Sequence, residues 1–477
     1  MKKPLLLLSA LLLSACVSSP PTTPQLKQVD ATALGLGTES APRFPDAWWS
    51  AFGDPQIDRL ANAMAAGNPT LQSALARIRA AEADYSVQQS QDLPQASVSG
   101  EEQRQLFSKD YIIPPPYGGT WRWMGSLEGN LSWNLDFWGK QADLIAKAKG
   151  TADAAALDAQ AAQLALSGAL AQTYINLWLV WQNSDIADRT VAERQQILDL
   201  TRGRFNAGLE NAQSLEQARA LLSLAKIDQM RFAAQRETDV HAIAALTGQG
   251  AAAYGGITRP MPALDTALPL PASLPADLLA RRPDVMAARA RIAAAAAGRE
   301  AAHAEFYPDI NLTAFVGFQA IGLSNLLTGD ALTLGAGPAI HLPIFDAGKI
   351  RAQYAGATAA LDMAVADYNG AVLNAIKQTA DAMTQVKSLD DQRIQQQAAL
   401  DSAEKSFAYA QTRYRTGLSN QIPMLTAEST LLTARQQMAA LAANAAAQRI
   451  TLLLSVGGGF NPPAEIKSEI ASKDLSP

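Results

Sequence analysis

Between residues 126 and 135 apolar and polar side chains alternate. Leu127, Gly129, Leu131, Trp133 and Leu135 fall on one face, Ser126, Glu128, Asn130, Ser132 and Asn134 on the other. A period of two predicts a strand with one apolar and one wet face. A second such segment places Ile310, Leu312, Ala314, Val316 and Phe318 opposite Asn311, Thr313, Gly317 and Gln319, with Phe315 interrupting the wet face. Weaker segments at 94–105 and 332–342 complete two hairpins. Each strand is about ten residues long, enough to cross a bilayer when tilted. On that reading Leu127, Leu131, Trp133 and Leu312 face lipid, and Trp121, Trp123, Trp133 and Trp138 supply an interfacial aromatic girdle. A soluble β-sandwich, the alternative, calls for more strands and no long helices.

The remaining pattern is helical. No proline occurs from Gly139 to Gly208, and Leu166, Leu170, Tyr174, Leu177 and Trp181 recur at spacings of 4, 4, 3 and 4. A continuous helix there reaches about 100 Å at 1.5 Å per residue. Leu361, Val365, Tyr368, Val372, Ile376, Thr379 and Met383 repeat the stripe later in the chain. Gly208 and Gly417 sit where a second helix starts, and each fits a turn needing positive φ. Two long helical hairpins with narrow apolar seams follow, and such hairpins must assemble side by side.

These elements occur twice. Asn68-Pro69 matches Arg282-Pro283 and Leu93-Pro94 matches Tyr307-Pro308, both at an offset of 214 residues. Gly139-Lys140 matches Gly348-Lys349, the run Arg204 to Leu209 matches Arg413 to Leu418, and Gly248 matches Gly457, all at 209. The chain is therefore an internal duplication. The expected layout is a first copy over 46–250, with a β-hairpin at about 94–136 and a helical hairpin at about 139–248. A linker over 251–276 holds Pro260, Pro262, Pro269, Pro271 and Pro275. The second copy covers 277–459, with its β-hairpin at about 308–346 and its helical hairpin at about 348–456, and 460–477 is a C-terminal tail. Four strands cannot close a membrane barrel, and lipid tolerates no open sheet edge. The chain must oligomerise, and two chains with eight strands or three with twelve both satisfy the geometry.

The amino terminus adds a location. Lys2 and Lys3 precede an apolar run from Leu5 to Leu13, too short to span a bilayer, so 1–15 reads as a signal peptide. Leu13-Ser14-Ala15-Cys16 resembles a bacterial lipobox, which makes Cys16 the acylated first residue of the mature chain. An ordinary cleavage site beside a chance cysteine is the plainer alternative. Val17 in place of the inner-membrane retention Asp implies the outer membrane, with 16–45 as a lipidated tether.

Composition removes other classes. Lys+Arg 39 against Asp+Glu 44 gives a net charge of −5 and no electrostatic case for nucleic acid. One Cys and three His exclude a disulfide scaffold and leave no expectation of a metal site. His303 near Glu305 and Asp309 reads as a structural group, and His241 and His341 stand alone. Gly457-Gly458-Gly459 ends a helix and so is no phosphate cradle. The methionines form no soft-metal relay. Arg281-Arg282 before a Pro-started helix, with Asp284 in its first turn, reads as structural. No enzymatic activity and no cofactor are expected.

The paired hairpins, the turns Arg204-Phe205-Asn206-Ala207-Gly208 and Arg413-Tyr414-Arg415-Thr416-Gly417, the segment Leu279 to Val285 and the lipobox together resemble the TolC-like outer-membrane efflux proteins, the NodT-type lipoprotein branch above all. The resemblance implies an α+β membrane protein. Four strands per chain make a twelve-stranded barrel in a homotrimer, continuous with a long periplasmic α-helical barrel, and a mixed belt comes from the linker and C-terminal region. It implies a passive duct that docks with a periplasmic adaptor and an inner-membrane RND-type pump to export small molecules. A conduit for type I protein secretion and a non-conducting lipoprotein scaffold are the alternatives.

Carried over residue by residue, the resemblance makes Tyr414 the aromatic that pinches the periplasmic entrance, with Arg204 and Arg413 as basic partners. The family's basic position past the glycine is Ser419 here, its acidic partner matches Ser214, and its inward acidic ring matches Pro423 and Thr426. The chain thus departs from the family's usual salt-bridge lock and from the acidic ring that gives strong cation selectivity, and Glu210 is a substitute acid. Ala207, Gly208, Leu209 and Thr416, Gly417, Leu418 match the tips that meet the adaptor, although helix-turn chemistry alone also accounts for them.

Overall fold

The computed structural model describes residues 22–29, 34–36, 44–110, 112–264, 274–275 and 277–460. Cys16, the signal segment, Pro269, Pro271 and the tail from residue 461 lie outside the described residues. The elements in chain order are α1 (Pro55–Gly67), α2 (Pro69–Gln91), β1 (Gln95–Leu106), β2 (Trp121–Asn134), α3 (Lys140–Asn206) and α4 (Ala212–Leu246). After the linker come α5 (Leu278–Arg281), α6 (Pro283–Ala304), β3 (Asp309–Ile321), β4 (Leu332–His341), α7 (Lys349–Arg415) and α8 (Gln421–Ser455). The duplication shows in the lengths: α3 and α7 each have 67 residues, α4 and α8 each 35. No described helix is long and apolar enough to cross a membrane.

Two compact units divide these residues. One holds Arg77–Ala155 and Ala287–Asn369 with the start of the chain, the other Val29–Ala76, Ala156–Met286 and the chain from Gly370. In the first, the strands form one antiparallel sheet in the order β1-β2-β3-β4. The register pairs Leu127 with Phe318, Leu131 with Ala314 and Trp133 with Leu312, so the apolar positions share one face across strands. That face is exposed at Val98, Leu127, Leu131, Trp133, Leu312, Val316 and Leu334. The opposite face is polar, with Asn130 Nδ2 donating to Ser99 Oγ at 3.2 Å. Phe315 is accommodated there because it faces Gly335, where a Cβ would stand 2.7 Å from its ring.

His303 packs among aromatics, its ring centroid 5.7 Å from Tyr307 and 5.6 Å from Tyr354. Glu305 pairs with Lys140 at 3.2 Å, and Asp309 accepts from Asn134 at 2.9 Å. The three residues therefore serve packing and pairing. Residues 22–29 have no regular structure but are held: the Gln25 and Leu26 N–H groups donate to Asp362 Oδ1 at 2.9 and 3.0 Å, and Asn369 Nδ2 donates to Lys27 O at 3.0 Å.

The second unit has the larger core. Trp48, Ile57 and Met64 pack with Leu170, Tyr174 and Leu177 of α3, Ile243 of α4, Leu278 of α5 and Ile450 and Leu453 of α8. The linker is stitched onto the start of α1: Met261 N–H donates to Asp54 Oδ2 at 2.7 Å, and Thr258 N–H to Gln56 Oε1 at 2.8 Å. Tyr174 completes this network by donating to Asp54 Oδ2 at 2.5 Å, which gives a deeply buried hydroxyl its required partner.

The two copies repeat a close approach here. A Cβ at Gly248 would sit 2.0 Å from Gly67 O, and one at Gly457 2.1 Å from Arg281 O. Both glycines have positive φ, 70° and 97°. The neighbouring positions repeat a contact with different chemistry. Asn68 Nδ2 donates to Leu246 O at 2.8 Å, and Arg282 Nη1 to Ser455 O at 2.9 Å. Arg282 also grips Asp284 through Nε at 3.0 Å and Nη2 at 2.7 Å, the structural role its sequence context predicts.

Candidate functional site at the hairpin tips

The turn between α3 and α4 has Gly208 at φ 73°, and the turn between α7 and α8 has Gly417 at φ 76°. In the first, Leu209 N–H donates to Arg204 O and Gly208 N–H to Phe205 O, at 2.8 and 2.9 Å. In the second, Leu418 N–H donates to Arg413 O and Gly417 N–H to Tyr414 O, at 2.8 and 3.1 Å. This paired closure with a left-handed residue is the Schellman motif, and it satisfies carbonyls the helix end leaves orphaned. Each following helix opens on an asparagine cap: Asn211 Oδ1 accepts from Ser214 N–H at 2.9 Å, Asn420 Oδ1 from Ile422 N–H at 3.2 Å. Ser214 thus takes part in a helix cap. Pro423 and Thr426 are exposed near the start of α8, where Thr426 Oγ1 donates to its own helix at Ile422 O.

Arg204, Glu210 and Tyr414 come together. The Arg204 guanidinium lies 4.9 Å from the Tyr414 ring centroid and donates to Tyr414 O at 3.3 Å. Its Nε is 3.6 Å from Glu210 Oε1. Tyr414 is 0% exposed, and its hydroxyl lies 3.1 Å from Thr201 Oγ1, which also accepts from Gln421 Nε2 at 3.3 Å. Burial pushes the Tyr414 hydroxyl above its ordinary range, partly offset by the Thr201 contact. Within its own chain, then, the ring is enclosed beneath Arg204 and beside Met424. It ties α3 to α7 and presents no free bulk of its own. Arg413 stays outside this network with an exposed side chain. The six tip residues Ala207, Gly208, Leu209, Thr416, Gly417 and Leu418 are all exposed, Leu209 at 66% and Leu418 at 72%.

Thr201, Gln421 and a buried pair, Arg194 with Glu428, are sites the sequence reading missed. The signal was present: Thr201 follows Ile197 by four residues and Glu428 follows Met424 by four, so both are polar residues inside an apolar stripe. Among the described residues no three His, Cys, Asp or Glu side chains gather in a way that could hold a metal.

The family described as outer membrane efflux protein matches residues 60–249 and 274–458, on either side of the Pro-rich linker. The chain belongs to the outer membrane efflux protein family. This efflux protein is 36% identical over 363 residues to the fusaric acid resistance protein FusA of Burkholderia cepacia, covering 73% of this chain and 68% of FusA. It is 28% identical over 471 residues to the cation efflux system protein CusC of Escherichia coli, covering 94% and 97%. Its fold superposes on the outer membrane protein VceC of Vibrio cholerae with a TM-score of 0.82 at 30% identity, covering 88% of this chain and 100% of VceC. The family consists of channel proteins, which gives the exposed apolar sheet face and the long helical hairpins a common purpose.

Proposed function

We propose that three copies of this efflux protein form a passive duct that carries small molecules across the outer membrane, fed by a periplasmic adaptor and an inner-membrane RND-type pump. The observation that carries this reading is the sheet. It exposes an apolar face, and among the described residues β1 and β4 each have a neighbouring strand on one side only. An apolar face needs lipid and an unpaired edge needs another strand, and twelve strands from three chains provide both. The exposed tips around Leu209 and Leu418 are the surface offered to the adaptor, and Arg204, Glu210 and Tyr414 hold the resting tip. Cys16 is the anchor, acylated at the outer membrane. Cargo is selected by the pump, in keeping with relatives named for substrates as unlike as fusaric acid and cations.

The test compares adjacent residues on opposite faces of β2. Leu131→Arg places a charge in lipid and should cost on the order of 2 to 4 kcal/mol per chain near the bilayer midplane, whereas Asn130→Arg on the wet face should cost far less. Urea titration of the refolded trimer reads both, and equal tolerance removes the membrane-strand assignment. Cys16→Ser should abolish the acyl mass on the mature chain while the trimer still inserts, since a barrel buries far more than acyl chains add.

A further inference from the structure

The seam between α3 and α8 carries charge where its spacing calls for apolar residues. Met424, Glu428 and Leu431 follow one another on α8 at steps of four and three, as Arg194, Ile197 and Thr201 do on α3 at three and four. Glu428 is 2% exposed and Arg194 7%. Arg194 Nε lies 2.7 Å from Glu428 Oε1, and nearby Arg435 of α8 reaches Glu193 of α3 at 3.3 Å. The rest of the cluster is apolar: Ile197, Met424, Leu425, Ala427 and Leu431, with Ala403 and Phe407 from α7 and Leu221 from α4. Asp401, Glu404 and Lys405 of α7 and Glu216 and Arg219 of α4 point to solvent as exposed side chains. Glu428 is therefore faced by Arg194 and Glu193, the latter paired with Arg435.

This pair is incompletely satisfied. Arg194 Nε approaches Glu428 Oε1 at 2.7 Å but off the line of a well-directed hydrogen bond, and Arg194 Nη1 and Glu428 Oε2 have no hydrogen-bond partner among the described residues. A buried ion pair recovers its desolvation cost only when its remaining lone pairs and protons are matched. Here they are not, so the ionised carboxylate is sealed at a cost that either a proton or release to water removes. Burial outweighs the attraction of Arg194 and pushes the Glu428 carboxyl up to about 7.

We propose that Glu428 is a proton-operated latch on the α3–α8 seam. Neutral, it lets the seam close and still offers Arg194 a carbonyl oxygen. Ionised, it favours a loosened seam in which both charged groups reach water. The sign follows from linkage. The sealed carboxyl titrates higher than a solvated one at 4.5, so it favours the closed seam fully below that value, and the preference is lost as pH rises through about 7. Between pH 5 and pH 7.5 the closed-to-loosened ratio should fall on the order of tenfold or more. Only the consequence for passage rests on the duct reading, because the latch itself is a property of two helices.

The experiment uses the full chain with Cys16→Ser, removing its one cysteine, and spin labels at the exposed positions Gln196 on α3 and Thr430 on α8. Electron–electron distances are measured at pH 5 and pH 7.5, with bilayer conductance recorded on the same preparations. With Glu428 present the distribution should lengthen and broaden at pH 7.5. Glu428→Gln, an isostere that keeps a carbonyl oxygen for Arg194, should keep the pH 5 distribution at both values, and the double variant Glu428→Met with Arg194→Leu, which leaves no buried charge unmatched in the apolar cluster, should do the same. The latch is overturned if the wild type does not change with pH, or if either neutral variant changes as the wild type does. Absence of conductance at both pH values counts against the duct and leaves the latch to the distances.

Discussion

Phe205 and Tyr414 occupy the same place in the two copies, 209 residues apart, yet Phe205 is 37% exposed and Tyr414 is 0% exposed. Arg204 and Arg413 are likewise equivalent, and only Arg204 is engaged, over the ring of Tyr414 and beside Glu210. The second copy has Ser419 where the first has Glu210. A duplicated turn has thus diverged into a holder and a held element. The backbone shows no such divergence, since both turns close with the same hydrogen bonds around a glycine of nearly the same φ. Duplication conserved what the helix ends require and released the side chains to differ.

Substitutions at equivalent positions test this contrast. The largest effects belong where both copies need the same backbone. Alanine at Gly248 or Gly457 combines positive φ with a Cβ about 2 Å from a carbonyl oxygen, and each should cost about 3 kcal/mol or more in urea titration of the trimer. Alanine at Gly208 meets no atom within 4 Å and should cost only the left-handed strain, about 1 to 2 kcal/mol. Equal losses at Gly208 and Gly248 would show that strain, and not close approach, dominates.

Next come the paired contacts at Asn68 and Arg282. Arg282→Ala strips partners from Asp284, Gln378 and the Ser455 carbonyl and should cost about 3 kcal/mol. Asn68→Ala removes a cap on α2 and one contact to Leu246 O and should cost about 1 to 2 kcal/mol. A reversed order would mean that the cap outweighs the guanidinium network.

Much of this was legible in the sequence because it depends on period and spacing. The alternation at 126–135 placed β2, the constant offset revealed the duplication, and Gly208 and Gly417 located turns that do adopt positive φ. Proximity of Arg204, Glu210 and Tyr414 could also be anticipated, since Glu210 lies just past the turn that closes on Arg204. Which aromatic would be enclosed could not, because the repeated motif reads the same for Phe205 and Tyr414. Their difference arises from Thr201 and Gln421, remote in sequence and adjacent in space. The Arg194–Glu428 pair left half a signal, Glu428 standing inside an apolar stripe, but its partner on α3 emerges only where the two stripes meet.

The asymmetry between the tips has its most direct test in single-channel recording of the purified trimer, comparing wild type, Tyr414→Ala and Phe205→Ala. If the enclosed tyrosine under Arg204 holds the resting tip, Tyr414→Ala raises conductance or open probability, and Phe205→Ala, at the equivalent but exposed position, leaves both near the wild-type values. Unchanged currents in Tyr414→Ala, or equal changes in the two variants, would contradict the account.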